Sequence, residues 1–579
     1  MPQATFSKRT VERLVGSSLD SKQLEELLFR TKAEPVEMDG DELKIEVTHD
    51  RLDLLCESGI ANLIRGLLHE RPLGQLPKAS DGPRLTVDID ASVAPLRGEI
   101  AMVNVRAPPQ QPLDAELISE LIRYQEVLHT SLGFDRKEGS LGLYPSRRLV
   151  PPYRYRLESL KGLRFDPLPL EDVPSGLMDG EEFYARHPMA IKYGALGKDG
   201  DRALVLRDAE EHVLSLPPVL NAARYGEIAP GDTEVLIEST GRNPRTVRDF
   251  VGYMLLPFAT RGWSAQEVFG IVAGGAESPS FSLSERKVSF TPESVDTLLG
   301  RRFERTTVRN ALTAFGIPVS DRDTPWTATI PPWRPDLLGA VDLSEEVMIW
   351  EGLSNFVPEE RGHPTRGRAL AFSRYCEHLA EVMVGMGYQE IHTTLLISQE
   401  AARRFLPPNS YLELQNPVSE ELSILRPSLL PTLMGAFEAN NGHGYPQRIY
   451  EMGEVVVPEP GSQTGSQTRM NLGAAMAGGD AGFAALMALA ERVLRVVGIT
   501  VTKDAAEVPG TIRGRVAHLR FAGEVIGVVG EIHPESLAAF KVQEPVGWME
   551  FDLSVLWQLK GEQPVGSTGT PPPGQATGT

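Results

Sequence analysis

One short phrase occurs twice in this 579-residue chain, and each copy leads into a helix. Arg51-Leu-Asp53-Leu-Leu55 precedes a run from Glu57 to His69 whose apolar residues Ile60, Leu63, Ile64, Leu67 and Leu68 keep the helical period. Arg334-Pro-Asp336-Leu-Leu338 precedes a second helix that is expected to open at Asp342. A duplicated strand–turn–helix unit constrains the fold more than any bulk property, because it predicts two kindred pieces of local structure. The copies differ in charge. The second carries Asp336, Asp342, Glu345 and Glu346 in close succession, whereas the first has only Glu57 after its Arg-Leu-Asp. A cation bound at the second copy therefore needs no counterpart at the first.

Two readings of those four acids stay open. Asp342-Leu-Ser-Glu345 has the form of a capping box, which needs no metal. That leaves Asp336 and Glu346. Asp342, Glu345 and Glu346 share a helix face by their spacing, where like charges repel and the helix N-terminus offsets part of the repulsion. If the turn brings Asp336 to the same place, a hard divalent ion such as magnesium suits the oxygen donors. Arg334 pairing with one of the acids is the competing arrangement.

The length predicts three to five domains. A net charge of −20 argues against generic, charge-driven nucleic-acid binding, though not against an RNA held by a local basic face. The two cysteines, Cys56 and Cys376, are too far apart in sequence to suggest a disulfide framework or a metal motif. There is no signal-like N-terminus and no apolar run long enough to span a bilayer, so a soluble cytoplasmic protein without membrane contact is expected. No phosphate-binding loop or dinucleotide fingerprint occurs, and the scattered histidines, His443 and His533 among them, read as loop or surface residues.

Composition divides the chain into an N-terminal α+β unit at 1–84, with a linker near 72–84, and a mixed domain at 85–265. A Gly/Ser-rich bridge covers 266–284. A small α/β unit follows at 285–357, then a linker at 358–367 and a large domain at 368–560. The tail at 561–579 is Gly, Pro, Thr and Ser, a composition expected to be disordered. Helices are predicted at 21–30 with Ser21 as cap, and at 113–131, 247–258, 292–299, 306–315, 369–386 and 483–497. Strands are predicted at 43–47, 85–89, 100–105, 203–206, 234–241 and 326–330. Further strands are predicted at 388–391, 412–416, 448–450, 454–457, 517–521 and 525–529.

Pro331-Pro-Trp-Arg-Pro-Asp336 followed by Val341-Asp-Leu-Ser-Glu-Glu346 closely resembles the magnesium-binding segment of the phenylalanyl-tRNA synthetase beta subunit. Other blocks agree in order: Arg51–Leu55 with Glu57–Ala61, Pro217–Asn221, Ile237–Gly241, Asn416-Pro-Val-Ser with Leu425–Pro431, and Arg448–Gly453. The short N-terminal half is similar to the archaeal/eukaryotic type. The resemblance covers nearly everything except the tail. It implies a multidomain fold: an N-terminal α+β unit, a central editing-type domain, a small winged-helix-like unit with the acidic cluster, and a class II synthetase-like antiparallel domain lacking catalytic motifs. Gly527–His533 indeed has no arginine.

The resemblance also implies an (αβ)₂ heterotetramer with an alpha subunit that uses ATP to attach phenylalanine to tRNA(Phe). It implies one Mg²⁺ per beta subunit on Asp336, Asp342, Glu345 and Glu346. It further implies an editing pocket for mis-attached tyrosine at Leu206, Ser215, Glu238 and Thr240. A pocket built for phenylalanine rejects an added hydroxyl poorly, so a second site that binds that hydroxyl is useful. Glu238 is the natural acceptor, where the family usually has Asp. Three further departures are Gly133-Phe-Asp-Arg-Lys137 in place of an arginine-rich block, Pro145 in place of an aspartate, and Leu52 in place of the proline in the first repeated phrase. The alternatives are a freestanding tRNA-editing module and a non-editing structural or regulatory paralogue.

Overall fold

The structure is a computed structural model that describes residues 1–69, 82–170, 173, 176–272, 275, 277–358 and 367–560. The predicted linkers at 72–84 and 358–367 fall largely, and the tail 561–579 wholly, outside the described residues. The chain divides into two compact units, Met1–Glu360 and Arg361–Thr579, each mixing helices with its own sheets.

The first unit begins with a three-stranded antiparallel sheet of Gln3–Ser7, Glu42–Val47 and Ala33–Asp39. Leu43, Ile45 and Val47 are buried and alternate with less buried residues, as a one-sided strand requires. The helix Ser21–Phe29 is capped by Asp20 rather than Ser21. Asp20 accepts the Gln23 N–H and Gln23 answers, because Gln23 stands three residues after the aspartate. Helix α1 (Glu57–His69) follows the first Arg-Leu-Asp turn.

The central sheet contains β1 (Leu85–Ile89), β2 (Glu99–Arg106), β3 (Gly139–Pro145), β4 (Tyr153–Ser159) and β5 (Arg202–Arg207). It continues with β6 (Val213–Leu216), β7 (Leu220–Asn221), β8 (Glu234–Gly241) and β9 (Ser264–Val272). Their spatial order is β7-β6-β5-β4-β1-β9-β2-β8-β3. Strand β9 runs through the stretch expected to be an unpatterned bridge. It pairs parallel to β1 and antiparallel to β2. Its polar Gln266, which obscured the strand period, is buried and donates to the Pro83 carbonyl.

Helices α2 (Ala115–Thr130) and α3 (Pro244–Ala259) cover one face with a large core that includes Leu121, Val103, Ile237 and Phe250. On the other face Met102, Tyr144, Tyr155, Leu206 and Leu236 form a second core. The two ends of the sheet curl toward each other. Asn221 on β7 donates to the Leu143 carbonyl on β3 at 3.2 Å, bridging the terminal strands.

The small unit that closes this half has a sheet of Arg286–Phe290, Trp326–Ile330 and Val319–Ser320. Helices Pro292–Leu299 and Arg305–Ala314 pack with α4 (Ala340–Glu351). Helix α4 starts two residues before the predicted Asp342, with Gly339 at the cap position. Asp342 is therefore the residue that reaches back, accepting the N–H groups of Leu338 and Gly339 at 2.6 and 2.8 Å.

The second unit is built on a sheet of order Gln389–Glu390, Gln447–Pro458, Ser466–Ala477, Val546–Asp552, Glu524–Ile532, Thr511–Phe521 and Thr502–Ala505. All pairs are antiparallel except the first. The strands expected at 448–450 and 454–457 are one continuous strand. Ser466–Ala477 and Val546–Asp552 were not visible in the sequence. The buried half of the former is Leu-Gly-Ala-Ala-Met-Ala, poor in the branched and aromatic residues that mark strands. Separate cores flank the sheet, one with Leu379, Leu486 and Met549, the other with Leu433, Phe437 and Trp548.

Candidate functional site

Where the ends of the central sheet approach, a cavity of about 450 Å³ opens between β3, β6, β8 and helix α2. Leu141, Leu143, Leu216, Val219 and Leu220 give it apolar walls, and Tyr144, Ser215 and Glu238 are its inner polar groups. The exposed lining residues Ile122, Glu126 and Glu227 mark its mouth.

Strand register explains the polar end. Glu238 on β8 stands opposite Gly142 on β3, and Leu236 stands opposite Tyr144. Tyr144 and Glu238 are therefore diagonal neighbours on one face. The Tyr144 hydroxyl oxygen lies 2.9 Å from Glu238 Oε2 and 2.8 Å from Ser215 Oγ. Gly142 leaves the room for this meeting. A Cβ there would stand 2.4 Å from the Tyr144 oxygen and 2.7 Å from Glu238 Oε2.

Tyr144, Ser215 and Glu238 are all buried. Burial pushes the Glu238 carboxyl up to about 7, against the weaker pull of Tyr144, Arg97 and Thr240 toward the anion. Burial and then the Glu238 charge push the Tyr144 phenol well above its ordinary value, so it keeps its proton. Glu238 Oε1 has no hydrogen-bond partner among the described residues. A buried carboxylate oxygen without a donor costs about 1–3 kcal/mol, more when charged, and a donor arriving in the cavity recovers that cost.

The structure brings Ser215 and Glu238 together as lining residues and leaves Leu206 and Thr240 behind them. Leu206 is a register partner of Ser215 and belongs to the core. Thr240 is buried beside Ser140, with hydroxyls 3.3 Å apart, and its carbonyl accepts from Arg97. Tyr144 was not picked out in the sequence. Its signal was a glycine two residues earlier in an apolar strand, a mark of close approach.

The acids of the second repeat are arranged otherwise than a shared cation requires. Arg334 forms a fork on Asp336, with Nε and Nη2 at 3.0 and 2.8 Å, and a second fork on Glu346, at 3.2 and 2.6 Å. Glu345 pairs instead with Lys32 at 2.9 Å, and Asp342 holds backbone N–H groups. The first repeat meets the second here: Arg51 is bidentate on Asp53 at 2.9 Å and stands 3.8 Å from Glu346. Burial raises the Asp336 pKa, but Arg334 outweighs it and holds the carboxyl below its usual value.

Among the described residues no group of three or more His, Cys, Asp and Glu is gathered as a metal site. The four acids as placed do not fit a divalent ion, because Arg334 already occupies Asp336 and Glu346 together and a cation there would face two guanidinium groups. In this arrangement each of the four acids already has a protein partner. Arginine pairing, the competing arrangement, is what the structure contains.

Residues 360–553 match the family described as "Phenylalanyl tRNA synthetase beta chain CLM domain", and residues 288–353 match the "tRNA synthetase B5 domain". The phenylalanine–tRNA ligase beta subunit of Methanocaldococcus jannaschii is 29% identical over 563 residues, covering 96% of this chain and 100% of that protein. The beta subunit of Pyrococcus abyssi is 29% identical over 570 residues, with 96% and 100% covered. A crystal structure of an N-terminal fragment of the Pyrococcus horikoshii phenylalanyl-tRNA synthetase beta subunit superposes with a TM-score of 0.54. It is 25% identical and covers 60% of this chain and 99% of the fragment.

The chain is thus similar over 96% of its length to phenylalanine–tRNA ligase beta subunits and carries stretches that match two of their domain families. Its double-arginine junction lies partly in the B5-matching stretch, at Arg334, Asp336 and Glu346, and partly before it, at Arg51 and Asp53. No helix among the described residues is long and apolar enough to cross a membrane.

Proposed function

We propose that this chain works as the beta subunit of a phenylalanine–tRNA ligase and that its central cavity hydrolyses tyrosine wrongly attached to tRNA(Phe). In this reading an alpha subunit carries the ATP-dependent synthetic site and any catalytic Mg²⁺, and the two chains assemble as (αβ)₂. The antiparallel domain after residue 367, with the class II-like fold that the family resemblance implies, serves that assembly.

The observation that carries the editing reading is the unpartnered Oε1 of Glu238 at the closed end of an apolar cavity. An aromatic ring fits between Leu143, Leu216 and Leu220, and a phenolic O–H reaches Glu238. A phenylalanyl ring leaves that oxygen unpaired. Sites built around such a bond reject the analogue lacking it by about 10⁴–10⁵. Glu238 thus recognises the side chain, while the ester lies toward the mouth near Glu126 and Glu227. There water adds to the ester carbonyl, tyrosine leaves as the acid, and the terminal ribose hydroxyl of the tRNA regains its proton.

The test is co-expression with the alpha subunit, followed by assays of phenylalanine charging and of tyrosyl-tRNA hydrolysis. A stable complex that charges tRNA(Phe) and releases tyrosine from tyrosyl-tRNA is expected. Glu238→Ala should slow the release. A chain with no affinity for an alpha subunit overturns the first part, and unchanged release by Glu238→Ala overturns the second.

A further inference from the structure

Tyr144 sits between the two polar groups of the cavity, and its hydrogen-bond arithmetic is restrictive. A phenol has one hydrogen to give. Its oxygen is 2.9 Å from Glu238 Oε2 and 2.8 Å from Ser215 Oγ. When Glu238 is ionised it can only accept, so Tyr144 must donate to it. The Ser215 hydroxyl must then donate to the Tyr144 oxygen. Ser215 is left with lone pairs for a ligand, and Glu238 Oε1 also only accepts.

We propose that Tyr144 is the specificity-determining residue of this cavity, because it turns the closed end into an acceptor-only surface that takes ligand groups bearing a donor hydrogen, such as a phenol. The inference rests on the editing reading of the cavity and adds to it the residue that sets the polarity. Glu238 supplies the acceptor. Tyr144 commits its other oxygen, favours its charged form and prevents Ser215 from offering a hydrogen.

The charged and titratable groups around Glu238 leave this role to Tyr144. Arg97, before β2, is turned to Thr240 O, Ser140 Oγ and Arg136 O. Tyr155 on β4 donates to Arg97 O. Glu126 on α2 pairs with Arg136 at 2.9 Å. Glu227 is exposed at the mouth. Of these only the Tyr144 hydroxyl is within hydrogen-bond distance of the Glu238 carboxyl, and the Thr240 hydroxyl on the same strand adds to the pull toward the anion.

The test uses the complex with its alpha subunit and two readouts. The first is the titration of the Glu238 carboxyl by infrared difference spectroscopy, identified as the band missing in Glu238→Gln. The second is the ratio of kcat/KM for tyrosyl-tRNA over phenylalanyl-tRNA hydrolysis. Tyr144→Phe keeps the ring and removes the donor. It should move the carboxyl midpoint to higher pH and lower the ratio by about tenfold, the value of one lost hydrogen bond. Ser215→Ala leaves the phenol on Glu238 and should move the midpoint less. Thermal unfolding shows that each variant folds. If Tyr144→Phe does not fold, Ser215→Ala decides alone: a lowered ratio with a nearly fixed midpoint supports the proposal, and an unchanged ratio overturns it. An unchanged midpoint and ratio in folded Tyr144→Phe likewise overturns it. If the wild-type complex releases no tyrosine, the editing reading fails, and the midpoint alone still decides whether Tyr144 controls Glu238.

Discussion

Arg51 and Arg334 converge on one buried carboxylate, that of Glu346. Arg334 holds it at 2.6 Å and Arg51 approaches to 3.8 Å, while each arginine also grips the aspartate two residues after it. The two copies of the repeated phrase are thus halves of one junction. Two guanidinium groups meet Asp53, Asp336 and Glu346, and Arg51, Arg334 and Glu346 are no more than 3% exposed.

The first prediction concerns breaking this junction. Removing one member of a buried ion network leaves the others charged and unpaired, at a cost of about 3–5 kcal/mol. Glu346→Ala and Arg334→Met should each destabilise the first unit by that order in urea unfolding. Lys32→Ala, which removes partly exposed pairs with Asp50 and Glu345, should cost about 1 kcal/mol or less per pair. Equal effects from all three would mean that burial does not set the strength of these pairs.

A second prediction follows from the occupied acids. Because Arg334 spans Asp336 and Glu346, these residues have no need of a cation. Dialysis of the purified chain against a chelator should leave its unfolding midpoint unchanged, and added magnesium should not raise it. A ligand of the native state at a hundred times its Kd adds about 2.7 kcal/mol, so occupancy would be plain in the same measurement. A midpoint that rises with magnesium and falls with chelator would mean that Arg334 yields its place to the ion.

Gly142 gives the third. An added methyl there meets the Tyr144 oxygen and Glu238 Oε2 well inside contact distance. Both are ends of side chains, so they can swing away at modest cost to the fold. Their mutual bond cannot survive the displacement. Gly142→Ala should therefore lower tyrosyl-tRNA hydrolysis by about tenfold or more, by the loss of that bond, and shift thermal unfolding little. Full activity in this variant would mean that the meeting of Tyr144 and Glu238 is not needed.

The sequence displayed strong periods and repeated phrases, and it hid what depends on three-dimensional pairing. Helix α1 covers the stretch Ile60–Leu68 whose periodicity predicts it, and a strand runs over Glu234–Gly241. Small residues concealed Ser466–Ala477, since a buried central strand flanked by large side chains can be built from alanine and glycine. The closeness of the four acids is legible in the sequence, but the partner each one takes is not. Arg334, the partner of Asp336 and Glu346, stands beside them in the same phrase, whereas Arg51 and Lys32 lie in the other repeat and its neighbourhood, where no local pattern announces them. Glu238 and Ser215 were found through motif resemblance. Tyr144 was missed because its role depends on the β3–β8 register, which no single strand reveals.

The last prediction is the pH dependence that Glu238 gives to stability. Its carboxyl titrates near the ordinary value of 4.5 in the unfolded chain and at about 7 in the folded one. Between those values the folded state holds a proton that the unfolded state has released. Folding stability contributed by this group is thus complete below about pH 4.5, falls as pH rises, and is lost by about pH 7. Glu238→Gln has no such proton to lose and keeps a neutral side chain of similar size. The variant should gain stability relative to the wild type as pH rises from 5 to 7, by an amount on the order of 3 kcal/mol, and hold a constant lead above that. Urea unfolding of both proteins at a series of pH values measures it. Parallel curves would mean that Glu238 is not held protonated by its burial, and the acceptor-only end of the cavity would then exist at every pH.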